Sequence, residues 1–291
     1  MRNIKIRYRF DGSMFYGFQR QPGKRTVQGE IEKLLDIVLR EKVNMISAGR
    51  TDRGVHALEQ VSNFLTSSPI PVEKLKHALN KGLPLDIEIF EVEDADIDFN
   101  SRFMAKDRAY RYVISWIKNP FESRYVTLVN EKIDKNNFVK ILEPLVGVND
   151  FNNFRLSDCG SKTSIREIYS ITAEEKENKL IINIKGNSFL KSQIRIMMGT
   201  ALDVYFGNRD ENYLKNMLKN PNKDFIKKVA DPYGLYLSEV YVWDKSWICT
   251  VSADSSSFGS IGIFRNHYRI KSLRRRRTEE GAERTFDIKI G

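Results

Sequence analysis

Two cysteines and three histidines are all that this 291-residue chain offers to a disulfide or a soft metal. Cys159 and Cys249 lie far apart with no CxxC, and His56, His77 and His267 have no ligand spacing, so neither a disulfide framework nor a zinc site is indicated. No run of eighteen apolar residues occurs, which argues against a membrane-spanning helix. The N-terminal RNIKIRYRFDG reads as a strand rather than a signal peptide, and the expectation is a soluble, cytoplasmic protein. The fragment GSKTS at 160–164 lacks the upstream glycine of a phosphate-cradling loop, no GxGxxG follows a strand, and no GxSxG marks a serine hydrolase. What remains for chemistry is carboxylate, tyrosine and arginine, with no metal, nucleotide or redox cofactor expected.

Positive charge is plentiful. Lys and Arg number 48 against 38 acids, a net charge of +10, which favours a polyanionic partner such as nucleic acid. The excess is uneven, because from Arg265 onward nine Lys or Arg face four acids. Composition shifts near Ser246, and 246–291 reads as a basic extension, either a solvated tail or a nucleic-acid contact.

Hydrophobic periodicity orders the rest. Ile4, Ile6, Tyr8 and Phe10 alternate with Lys5, Arg7 and Arg9, the pattern of a strand with one buried face. Thr26 is placed to cap a helix in TVQGEIEKLLDIVLREK, where Val27, Ile31, Leu34, Leu35 and Val38 share a side. Strands over 43–48 and 57–66, a helix over 69–82 and a strand over 86–93 complete a ferredoxin-like order. The pattern then repeats: a strand at 108–116, a helix at 134–145, strands at 165–173 and 180–185, a long helix at 188–206, a shorter one at 211–219 and a strand at 237–243. Arg195 sits at the edge of the long helix's apolar stripe, where an arginine can bury its stem and aim its guanidinium into a cleft. The expected fold is α+β, two ferredoxin-like halves over 1–105 and 106–245 sharing a mainly antiparallel sheet.

The stretch SAGRTDRGVHALEQVSNF at 47–64 sets Asp52 between Thr51 and Arg53, with Arg50 before it and Gly54 and His56 after it. Asp-Arg-Gly is also a good turn, since Asp tolerates tight backbone geometry and Gly supplies positive φ. Local chemistry alone favours the turn over a reactive carboxylate, because turn aspartates far outnumber catalytic ones.

Six blocks give the stretch a context: FDGSMFYGFQRQPGKRTVQ at 10–28, GRTDRGVHALEQV at 49–61, FNSRFMAKDRAYRYVI at 99–114, DFNNFRLSDCGSKTSIREI at 150–168, GNSFLKSQIRIMMGTALDV at 186–204 and DPYGLYLSEV at 231–240. In this order they resemble the tRNA pseudouridine synthase A family over nearly all of residues 1–245, GRTD-x-GVHA being the most specific. The resemblance implies the pseudouridine synthase fold, with helices on one face of the sheet and a catalytic cleft on the other. It also implies isomerisation of uridine to pseudouridine in the tRNA anticodon stem-loop, at tRNA positions 38, 39 and 40, without a cofactor or second substrate.

By the same resemblance Asp52 is the nucleophile, attacking either the sugar or the ring after the base is flipped out. Arg195 is its pairing arginine, Tyr110 lies against the target base, Arg50 serves extrusion of that base, and the enzyme is a homodimer. Read from the residues alone, Tyr110 is more readily a strand aromatic packed in the core, and Arg50 nearly as readily a turn arginine on a phosphate. His56 is expected to support the loop. Arg53, Asn100 and Gln193 depart from the family's usual small residue, His and Met, without removing a proposed catalytic group. The competing class is a non-catalytic RNA-binding protein of two RRM-like halves, which explains charge and sheet but not the three matched site residues.

Overall fold

The computed structural model describes residues 1–243, 270–275 and 286–290. β1 (Arg2–Phe10) is followed by α1 (Val27–Leu39), β2 (Ile46–Ser47), β3 (His56–Thr66), α2 (Val72–Gly82) and β4 (Ile87–Ala95). After the single turn α3 (Ser101–Met104) come β5 (Ala105–Ser115), β6 (Thr127–Leu128), α4 (Lys135–Leu142) and β7 (Gly147–Asp150). β8 (Ile165–Lys176), β9 (Lys179–Gly186), α5 (Gln193–Tyr205), α6 (Tyr213–Lys219) and β10 (Leu235–Val242) complete the unit Met1–Trp247.

These ten strands form one sheet in the order β4-β1-β3-β10-β5-β9-β8-β7, with β2 beside β3 and β6 beside β5. Each half shows the ferredoxin-like order of fourth, first, third and second strand: β4-β1-β3-β2, then β10-β5-β9-β8. Every pairing is antiparallel except β5 with β6 and the junction of the halves, β3 with β10, where Tyr236 lies opposite His56 and Leu237 opposite Ala57.

The core follows from the patterns. Thr26 Oγ1 accepts from the Gly29 amide and starts α1, which buries Val27, Ile31 and Leu35 in one cluster with Ile4, Ile6 and Tyr8. The strand expected over 43–48 shrinks to two residues for a local reason. The Val43 amide donates to Asp36 and the Met45 amide to Glu32, both on α1, so donors that a longer ladder needs are already used. β2 pairs with β3 only at Ser62 and Asn63, and β10 pairs with the start of the same strand at His56 and Ala57.

The long helix also starts later than its sequence pattern implies. Ser192 adopts left-handed geometry at φ 58, so α5 begins at Gln193, whose Oε1 accepts from the Leu190 amide at 2.8 Å. No described helix is long and apolar enough to cross a membrane. Residues Ile248–Gly291 form a separate compact unit, of which β11 (Ile270–Arg275) and β12 (Phe286–Ile290) pair antiparallel. Most of the basic extension, including Arg276, Arg277 and Arg284, lies outside the described residues.

Candidate active site

The Asp-Arg-Gly turn forms as its chemistry requires. The Val55 amide closes it on the Asp52 carbonyl at 3.2 Å, and Gly54 takes φ +81. The loop is clamped from both sides. A Cβ on Gly54 would stand 2.9 Å from Pro232 Cγ, and one on Gly12 would fall 1.9 Å from the Val55 carbonyl oxygen. The Phe18 amide donates to the Thr51 carbonyl at 3.1 Å, and the Arg53 guanidinium lies 4.5 Å from the centre of the exposed Tyr16 ring.

His56 anchors the far end of the loop. Its Nδ1 is 3.1 Å from both the Gly12 amide and Asp11 Oδ1, its Nε2 is 2.9 Å from the Arg124 carbonyl, and its ring stacks on Tyr236 at 4.7 Å. Burial pushes the Asp11 carboxyl up, but hydrogen bonds from His56, Ser13 and Tyr125 outweigh it and hold that group well below the usual carboxylate range.

Asp52 is brought to the first turn of α5. Arg195 Nη1 donates to Asp52 Oδ2 at 2.9 Å, and Ser192 Oγ donates to the same oxygen at 2.6 Å. The two charged side chains retain 18% and 23% exposure, so the pair is sheltered yet open to a ligand. Arg195 is fixed behind its charge: its Nε donates to the Ala230 carbonyl at 2.9 Å, and the Ala230 amide returns a bond to the Arg195 carbonyl at 3.0 Å. Gly199 permits this approach, because a Cβ there would stand 2.4 Å from the Lys228 carbonyl oxygen.

Tyr110 faces the same place from β5. Burial pushes its hydroxyl up to about 12, with Arg108 opposing the shift and the Asp52 carboxylate adding to it. At neutral pH it is therefore a phenol, able to donate a hydrogen bond and unsuited to act as a base. Its ring meets Phe189 edge-on at 5.2 Å. Tyr112, two residues along, donates to the Asp231 carbonyl at 3.0 Å beside the Ala230 anchor of Arg195. These side chains gather on the side of the sheet that α5 covers. The opposite face of the strands presents a groove lined by Leu58, Arg111, Asn183 and Lys185.

Asp52, Tyr110 and Arg195 are thus brought together from three distant segments. Arg50 is exposed on the loop and takes no part in the bonds that fix Asp52. Of the departures from the family pattern, Asn100 caps α3 by accepting from the Arg102 and Phe103 amides, while Gln193 is buried against Leu190.

Two residues escaped the sequence reading. The apolar pattern runs the helix through Ser192, although a serine three residues before Arg195 fits a helix start. Arg108 lies two residues before Tyr110 on one strand, and strand periodicity places both on one face. Its guanidinium donates to the Ala48 carbonyl at 2.7 Å and the Asn187 carbonyl at 3.0 Å, tying the entry of the Asp52 loop to the segment that leads into α5. Burial lowers its pKa, against the opposing pull of Tyr110 and Asp107.

A family model described as tRNA pseudouridine synthase matches the chain over residues 6–104 and 141–241, stretches that contain Asp52 and Arg195 but not Tyr110. The chain is 37% identical over 245 residues to a protein of Acetivibrio thermocellus named tRNA pseudouridine synthase A, covering 83% of this chain and 100% of the relative. It is likewise 37% identical over 242 residues to the protein of that name from Caldicellulosiruptor bescii, covering 82% and 99%. Among solved structures, a Cbf5-Nop10-Gar1 complex aligns with 82% of this chain and 58% of that chain at TM-score 0.34 and 8% identity, too slight a likeness to inform the site.

Proposed function

The chain belongs to the tRNA pseudouridine synthase family and isomerises uridine to pseudouridine in tRNA, and within that activity we propose that Asp52 is the nucleophile. The observation that carries this reading is the Asp52–Arg195 pair, held at 2.9 Å yet partly open beside a buried phenol. A nucleophilic carboxylate must be ionised, and an adjacent guanidinium favours that form.

Two routes use the same groups. In one, an Asp52 oxygen bonds to sugar C1′ as the C1′–N1 bond breaks and its electron pair leaves on N1. The base then turns, and C5 displaces the carboxylate from C1′. In the other, the carboxylate adds to the ring and pushes electrons onto the ring carbonyl, the glycosidic bond passes from N1 to C5, and the carboxylate is then expelled from the ring as the carbonyl electrons return. Both release one proton from C5 and end with one on N1, so no oxidant or second substrate enters the balance.

The target uridine must leave its stack, at a cost of a few kcal/mol. Exposed Arg50 is placed to hold the phosphate backbone or the vacated stack, and Tyr110 forms the floor against which the flipped base rests. We place the target in the anticodon stem-loop, at tRNA positions 38, 39 and 40, and propose a cytoplasmic homodimer, on the strength of the family resemblance. A division near residue 105 is supported by the strand order of each half and by the two stretches of the family match.

The test is tritium release from tRNA labelled at C5 of uridine. Wild type is expected to release it and Asp52→Asn to lose release entirely. Release that survives the substitution would remove Asp52 from the nucleophile's role.

A further inference from the structure

Both partners of the Asp52 carboxylate bind one oxygen. Ser192 Oγ and Arg195 Nη1 donate to Oδ2 at 2.6 and 2.9 Å, and among the described residues no hydrogen bond reaches Oδ1. The backbone under Ser192 is unusual. It is one of three described non-glycine residues with positive φ, at 58°, a region where a Cβ is disfavoured. It stands at the N-cap of α5, yet its hydroxyl makes no cap bond to the helix, whereas an N-cap serine ordinarily accepts from the second or third amide. Glycine or asparagine would suit the backbone better and a conventional cap would suit the helix better. What serine supplies here is a short donor aimed at Asp52.

Resting on Asp52 as the nucleophile, we infer that Ser192 is a positioning residue which, with Arg195, occupies Oδ2 and leaves Oδ1 as the attacking oxygen. Two donors from the first turn of one helix fix the rotation of the carboxylate about its Cβ–Cγ bond, where one donor would leave it free to swing. Oδ1 supplies the electron pair for the new bond to uridine, and the charge passes to the base. Oδ2 becomes the carbonyl oxygen of the resulting ester, still within reach of both donors. When the ester is cleaved the negative charge returns to the carboxylate, where the same two bonds strengthen. Ser192 contacts no part of the RNA in this scheme, so its loss acts on turnover and not on substrate binding.

Ser192→Gly separates the hydroxyl from the backbone, because glycine adopts φ 58 more readily than serine and the fold is preserved. The expected result is a fall in kcat of roughly 10- to 100-fold, the scale of one hydrogen bond to a charged group, with KM for tRNA unchanged within about twofold. Ser192→Asn tolerates the same backbone and offers an amide donor, and it should recover most of the lost turnover. Unchanged kcat in Ser192→Gly, a rise in KM that accounts for its loss, or an Asn variant no better than the Gly variant at equal thermal stability would each overturn the assignment. Asp52→Asn measured alongside keeps the two readings apart. An inactive Asp52→Asn with a fully active Ser192→Gly refutes the role of Ser192 alone, whereas an active Asp52→Asn refutes the nucleophile as well.

Discussion

Arg195 and Asp52, 143 residues apart in sequence, share a 2.9 Å hydrogen bond whose arginine is held from behind by the Ala230 carbonyl. The guanidinium spans the two with different nitrogens, one for the carbonyl and one for the carboxylate. A lysine carries the charge but not the fork. Arg195→Lys is therefore expected to slow single-turnover tritium release by roughly 10- to 100-fold while changing tRNA affinity in a filter-binding assay by less than about threefold. Equal losses in rate and affinity would mean that Arg195 serves RNA binding rather than Asp52.

Tyr110 makes a prediction about alkaline stability. Its hydroxyl is pushed from an ordinary value near 10 to about 12 in the folded protein, first by burial. The folded state keeps a proton that the unfolded state gives up, so this residue's contribution is complete below about pH 10 and is lost as pH rises through 12. For a group this buried the loss is on the order of 1 kcal/mol by pH 11. Urea midpoints at pH 9 and pH 11 should converge more in Tyr110→Phe than in wild type. An identical fall in both proteins would show that Tyr110 ionises as freely as a surface tyrosine.

Arg108 is predicted to matter for stability and for rate together. Its removal leaves the Ala48 and Asn187 carbonyls without their donor, and one unpaired buried group costs about 1–3 kcal/mol. Arg108→Ala should lower the free energy of unfolding by about 2–4 kcal/mol and reduce kcat, because the Asp52 loop and the approach to α5 lose their shared tie. Full stability in the variant would show that water replaces the guanidinium at both carbonyls.

The sequence carried the fold to the level of strand order. Alternation in residues 4–10 and the capped stripe of α1 each report a face buried against a neighbour, and such faces leave a periodic trace. Asp52, Tyr110 and Arg195 were legible only through resemblance, since a turn aspartate, a strand tyrosine and a stripe-edge arginine are each ordinary by themselves. Ser192 and the length of β2 were not legible. Both depend on tertiary partners: the serine's donor meets a carboxylate 140 residues away, and β2 is shortened where side chains of α1 take its amides.

The parallel junction of β3 with β10 sets an order of events during synthesis. β3 is complete once Thr66 has left the ribosome, but the strand that covers its free edge ends at Val242. Through the interval the nascent first half carries an unpaired edge, a template for pairing with other chains, and its Asp52 has neither Arg195 nor the Ala230 clamp that holds it. A chain interrupted before residue 230 has Asp52 without the Ala230 carbonyl that braces Arg195. The Asp52–Arg195 pair with its backbone brace is thereby complete only in chains translated almost to the end of the first unit.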